Sequence, residues 1–138
     1  MHSTEWTDYI NEGRQYFKTA RNGRKRKQVF TSELTYNLIC LSVEKLLIGL
    51  CLQHGHIPED HTISGIVMAV HELFQMEPSL MQELQMMDKI QDMCSLDVNN
   101  LCIVSDPQID NLLLLNERVI AFVESRLELS AANTVNGQ

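Results

Sequence analysis

The stretch Glu33 to Leu52, ELTYNLICLSVEKLLIGLCL, constrains this chain more than any other. It is the longest apolar run in the sequence, with Glu44-Lys45 set into its middle. It is far longer than a soluble strand, which reaches about ten residues at most. Leu34, Leu38, Leu41, Lys45, Ile48 and Leu52 recur at helical spacing, and Cys40, Val43, Leu47, Leu50 and Cys51 fill adjoining rows. Ser32 precedes the run as a helix cap, and His54-Gly55 ends it. A helix apolar this far round is expected at the centre of a bundle, wrapped by other helices. A lone membrane span needs about twenty predominantly apolar residues with few charges. Asn37, Ser42, Glu44, Lys45 and Gln53 interrupt this one. The expectation is therefore a bundle core in water, with no membrane partner.

The 138 residues suit one domain. The expected bundle covers residues 1–129, followed by a polar, flexible tail over 130–138. The formal charge of −7 is unevenly spread: residues 1–27 hold a net +4 and the remainder −11. An acidic body argues against general coating of nucleic acid. The four cysteines, Cys40, Cys51, Cys94 and Cys102, form no CxxC pair. Two of them lie within the apolar run, where cysteine acts as a small hydrophobe. Reduced core thiols and the absence of an apolar leader in MHSTEWTDYI imply a cytoplasmic protein.

In chain order, Trp6, Ile10, Gly13, Phe17 and Ala20 make one helical stripe over about 4–20, and Asn22-Gly23 closes it with a left-handed glycine. Arg24-Lys25-Arg26-Lys27 follows as a connector. Its first reading is a solvated loop; the sharper one, with Arg21 added, is a salt-sensitive anion or RNA contact. After the central helix, His54-Gly55-His56-Ile57-Pro58-Glu59-Asp60-His61 reads as a turn leading to a cap at Asp60 or Thr62. His54, His56 and His61 are the weak candidates for a metal, because H-x-H-x4-H matches no closed zinc pattern. A third helix spans about 63–74, with His71 beside its apolar face as a structural residue. A fourth helix spans about Ser79 to Met93, with Pro78 in its first turn or just before it, and Met81, Met86 and Met93 act as core filler. Residues 95–108 read as a loop or short extended piece. Asp106, as cap, and Pro107, at the first position, start the last helix. Short loops joining these helices imply an all-α, antiparallel up-and-down bundle of four to five helices.

The run Leu41-Ser42-Val43-Glu44-Lys45-Leu46-Leu47-Ile48-Gly49-Leu50, followed by Gly55, Pro58 and His61, resembles the second-helix signature of HEPN domains, which are small all-helical bundles. Asp106-Pro107 stands where many members carry an Arg-Tyr-Pro type segment. The resemblance implies a homodimer packed through helices. It also implies a protein partner such as a nucleotidyltransferase, or a nucleotide. One branch of the family cleaves RNA with Arg-x4-6-His near the last helix. This sequence departs from that motif: after the connector its arginines are Arg118 and Arg126, and no histidine follows either.

No P-loop GxxxxGK[ST] and no GxSxG elbow occurs, so no cofactor or nucleophile is expected. Glu44 and Lys45, with His61, are the residues that could meet a ligand. As helix neighbours Glu44 and Lys45 point in different directions and need separate partners. Glu44 has a candidate partner in the basic segment of the first helix, and structural pairing is preferred over ligand binding. The preferred expectation is a non-catalytic HEPN-like binding module, since the nuclease reading loses its catalytic residues with the missing Arg–His pair. The alternatives are a divergent ribonuclease or nucleotide-processing enzyme, using the histidines with Arg24 to Lys27, and a metal-binding helical bundle.

Overall fold

A computed structural model describes residues 3–96 and 104–136. They form five helices: α1 Ser3–Gly23, α2 Ser32–Gln53, α3 Ile63–Phe74, α4 Pro78–Leu96 and α5 Asp106–Asn136. The fold is all-helical, as the periodicity implies, with no strand among the described residues. The loop expected around 95–108 falls largely on residues 97–103, outside the described ones. Helix α5 extends to Asn136, through most of the segment expected as a tail.

Three caps differ from the sequence expectation. The N-cap of α2 is Thr31, not Ser32: Thr31 has extended backbone, and its Oγ1 accepts from the Leu34 N–H at 3.2 Å. Ser32 already lies in the helix and turns its hydroxyl to Asp106 Oδ1 at 3.4 Å. At α5 the cap is Ser105 rather than Asp106. The Ser105 hydroxyl accepts from the Gln108 N–H (3.3 Å) while the Gln108 side chain accepts from the Ser105 N–H (2.8 Å), a reciprocal capping box. Asp106 sits one residue later, where the helix dipole still favours a carboxylate. Gly23 does not adopt a left-handed turn; among the described glycines only Gly55 has positive φ, at 77°. Gly23 is needed for close approach instead, because a Cβ there would meet the Phe30 ring at 2.5 Å. The Asp60–Thr62 expectation is met by both residues: Thr62 caps α3, and Asp60 Oδ1 accepts from the Thr62 N–H at 2.9 Å.

Helix α2 is the hub. Its inner arc, including Tyr36, Ile39, Val43, Leu46, Leu47 and Leu50, is buried. Helix α1 runs antiparallel to it, with Gly13 against Ser42 and Leu46, and Ile10 and Trp6 against Gly49. Helix α5 runs parallel to α2, since Ser32 meets Asp106 and Ser42 meets Asn116. Helix α4 runs antiparallel to α5, with Glu83 against Arg118 and Ile90 grouped with Gln108. The stripe expected on α1 and the apolar face expected on α3 point into this core, and α5 adds an apolar stripe that includes Ile109, Leu112, Val119 and Val123.

Helix α2 is long and apolar enough to cross a membrane by length and composition alone, but 61% of its apolar window is buried inside the bundle. That burial is what a core helix needs. The wrapping is nevertheless incomplete. Leu34 and Leu41 are 40% and 36% exposed, and Leu38, Lys45, Ile48 and Leu52 are half-buried. The packed helices cover the inner arc of α2 and only the flank of the outer one, where Lys45 reaches α1 and Leu38 and Ile48 pack partly against the core. The methionine expectation also splits. Met81 packs half-buried against the core, whereas Met86 is 58% exposed; the Met93 side chain lies outside the described ones.

Candidate functional site

The sequence points to three groups of residues, and the fold distributes them along α2. The basic connector sits at the N-terminal end of α2. There Arg24, whose side chain is only 13% exposed, reaches Asp110 at 2.9 Å and Asp106 at 3.5 Å. Lys27 reaches the other oxygen of Asp106 at 3.2 Å. Together they fasten the α1–α2 connector to the first turn of α5. Lys27 first, and then Arg24, hold the Asp106 carboxyl below its ordinary range. Arg21 lies over the Phe17 ring, 5.4 Å from its centroid. Lys25 and Arg26 are exposed and face solvent. Two of the five proposed anion contacts are thus occupied by acids of the same chain, and Lys25 and Arg26 are left for an external anion.

The histidine turn sits at the other end. His54 is the C-cap of α2, and its ring meets Phe74 edge-on at 5.1 Å. The His56 N–H donates to the Cys51 carbonyl at 2.9 Å. His54, His56 and His61 are all exposed. Among the described residues no three His, Cys, Asp or Glu side chains are grouped so that they could hold a metal ion. His71 plays the structural part expected of it: its Nδ1 accepts from the Met76 N–H at 3.0 Å, fastening the turn after α3.

Glu44 and Lys45 do find separate surroundings, but not as expected. Lys45, not Glu44, reaches α1, with Glu12 at 3.5 Å and the Tyr9 ring at 4.7 Å. Glu44 turns the other way, about a hundred degrees around the helix, toward Asp88 and His61. No ion pair holds it among the described residues. Burial first, and then the Asp88 charge, push its carboxyl above the ordinary range, against a smaller pull from Lys45 and His61. Asp88 is itself buried, at 8% exposure, and its Oδ2 accepts from the Ser64 N–H at 3.2 Å. That N–H belongs to the first turn of α3, which has no intrahelical acceptor for it. Sequence reading missed Asp88, because a lone acid on an amphipathic helix reads as solvent-facing.

It also missed a buried polar chain through the core. The Asn116 Nδ2 donates to Ser42 Oγ at 3.0 Å, and Ser42 donates to the Gly13 carbonyl at 2.7 Å. The one available signal was Asn116 standing in an otherwise apolar stripe.

Comparison with protein-family models, curated proteins and solved structures gives no match.

Proposed function

We propose that the chain is a non-catalytic helical binding module, HEPN-like in layout. On this reading it pairs with a second copy of itself and engages a protein partner, such as a nucleotidyltransferase, or a nucleotide. The observation that carries it is the outer face of α2. Leu34, Leu38, Leu41, Lys45, Ile48 and Leu52 step by four, three, four, three and four residues. That alternation of four and three is the heptad pattern of a seam against another helix. Leu34 and Leu41 are exposed and Leu38, Ile48 and Leu52 half-buried, while Lys45, on the same row, reaches Glu12 of α1. On this reading α1, α2, α4 and α5 form an antiparallel up-and-down bundle with α3 inserted in one connection. The chain works in a reducing cytoplasm where Cys40 and Cys51 remain thiols.

Solution mass by light scattering tests the pairing. The expected result is a dimer for the native chain and a monomer of unchanged helicity for Leu41→Glu. A native monomer at micromolar concentration overturns it. Binding of labelled RNAs and nucleotides, with and without magnesium, tests the ligand, and robust turnover of either would replace the non-catalytic reading.

A divergent ribonuclease remains the second reading, and geometry constrains it. The connector and the histidine turn lie at opposite ends of α2, a 22-residue helix that spans about 33 Å at 1.5 Å per residue. One chain cannot bring Arg24–Lys27 and His54–His61 to one substrate bond. Two antiparallel copies packed through α2 would. Cleavage that survives both His61→Ala and monomerising Leu41→Glu rejects this assignment.

A further inference from the structure

At the N-terminal end of α4, helices α4 and α5 part to leave a cleft lined by Glu77, Leu80, Arg118, Ala121, Phe122 and Arg126. Arg118, Phe122 and Arg126 stand four residues apart, so they share one face of α5. Arg118 is already engaged by Glu83 and by the Ser79 hydroxyl. Arg126 is different. Its guanidinium lies over the Phe122 ring, with Cζ 5.1 Å from the centroid. Its Nε is buried and has no hydrogen-bond partner among the described residues, and no described carboxylate pairs with it. A guanidinium is a donor-only fork that cannot be deprotonated, and the ring beneath holds that fork in place.

The geometry points to this cleft as a binding site for a singly charged oxyanion carried on an apolar group. Arg126 would grip the oxyanion through its planar fork, which matches carboxylate and phosphoryl oxygens. Leu80, Ala121 and Phe122 supply an apolar wall for the remainder of the ligand. The first turn of α4 adds the positive end of a helix dipole. The charge balance sets the class of ligand. Two guanidinium groups face two carboxylates, Glu83 on Arg118 and Glu77, whose Oε1 accepts from the Ser79 hydroxyl at 3.1 Å. With Arg118 neutralised by Glu83, Arg126 is the guanidinium of the cleft with no described carboxylate against it, so a single negative charge is the most the cleft takes, and Glu77 opposes even that one. The cleft lies on α4 and α5, so it stands whether or not the chain dimerises through α2.

Titration of the full chain with butyrate, and separately with dimethyl phosphate, tests the site by nitrogen–proton NMR, including the arginine Nε–H region. The expected result is a saturable shift of the Arg126 Nε–H and of the Leu80 and Phe122 amides in at least one arm. The arm that shifts tells a carboxylate from a phosphodiester source. Arg126→Gln is expected to weaken binding about tenfold or more, as loss of a charge-assisted hydrogen bond does. Glu77→Gln is expected to tighten it. No saturable shift in either arm, or one unaltered by Arg126→Gln, overturns the site. Should Arg126→Gln fail to fold, Glu77→Gln decides: tighter binding supports the site and unchanged binding overturns it.

Discussion

The Ser42 hydroxyl donates to the Gly13 carbonyl at 2.7 Å, where α1 and α2 approach closely. That bond exists because the two backbones nearly touch. A Cβ on Gly13 would lie 2.6 Å from Leu46 Cγ and 3.1 Å from the Leu46 backbone nitrogen. Gly49 repeats the arrangement one end along, where a Cβ would meet Ile10 at 2.8 Å and the Trp6 carbonyl at 3.1 Å. Gly13→Ala is therefore expected to destabilise the fold by about 1–3 kcal/mol through overpacking, despite alanine's better helix propensity. Urea unfolding of the two proteins measures the difference. An unchanged midpoint would mean that the helices can separate at no cost.

Ser42 also accepts from Asn116, so one hydroxyl joins α1, α2 and α5. Ser42→Ala leaves the Asn116 amide and the Gly13 carbonyl buried with one partner fewer. The expected cost is about 1–3 kcal/mol, the desolvation penalty of an unmade hydrogen bond. Because Gly13 and Ser42 touch, the double variant Gly13→Ala/Ser42→Ala should cost less than the sum of the two single changes.

Glu44 has its carboxyl pushed above the ordinary range by burial and by Asp88. Its folded pKa exceeds its unfolded one, so folding takes up protons. Stability on this account is greatest in acid and falls as the pH rises from the ordinary glutamate range through the raised value. Glu44→Gln is expected to raise the Tm at neutral pH and to flatten that fall. Thermal melts from mildly acidic to neutral pH check both, and a lower Tm at neutral pH would reveal a stabilising partner for the carboxylate.

Burial pushes the Cys40 thiol up to about 12 and the Cys51 thiol up to about 11. Thiolate is the reactive form, so both should resist alkylation at neutral pH in the folded chain. Peptide mapping after iodoacetamide treatment should show the two labelled only once denaturant unfolds the protein. Rapid labelling of the native chain would place them at an accessible surface.

The Arg24–Asp106–Lys27 group is exposed enough for salt to reach it. Asp106 has its pKa lowered, so its contribution is present at neutral pH and is lost as acid takes the pH down through that lowered value. Arg24→Met is expected to lower the Tm in dilute buffer. The gap from the native protein should shrink as ionic strength rises, since the Debye length falls to about 3 Å at 1 M salt. A gap independent of salt would assign the loss to the packing of the Arg24 stem instead.

By itself the sequence determined the helices and the inner stripes. The bounds of α3, Ile63–Phe74, and the opening of α4 within one residue of Pro78 follow from apolar spacing and turn residues, which act within one or two turns of chain. The Thr62 cap and the structural His71 were legible for the same reason. Tertiary structure alone decided who faces whom. It sent Lys45 to Glu12 and left Glu44 beside Asp88, gave Asp106 to the connector and so the cap to Ser105, and left Leu34 and Leu41 bare. Those outcomes depend on pairs far apart in sequence, brought within a few ångströms by packing. A periodic pattern says that a face is apolar; only the neighbouring helices say whether anything covers it.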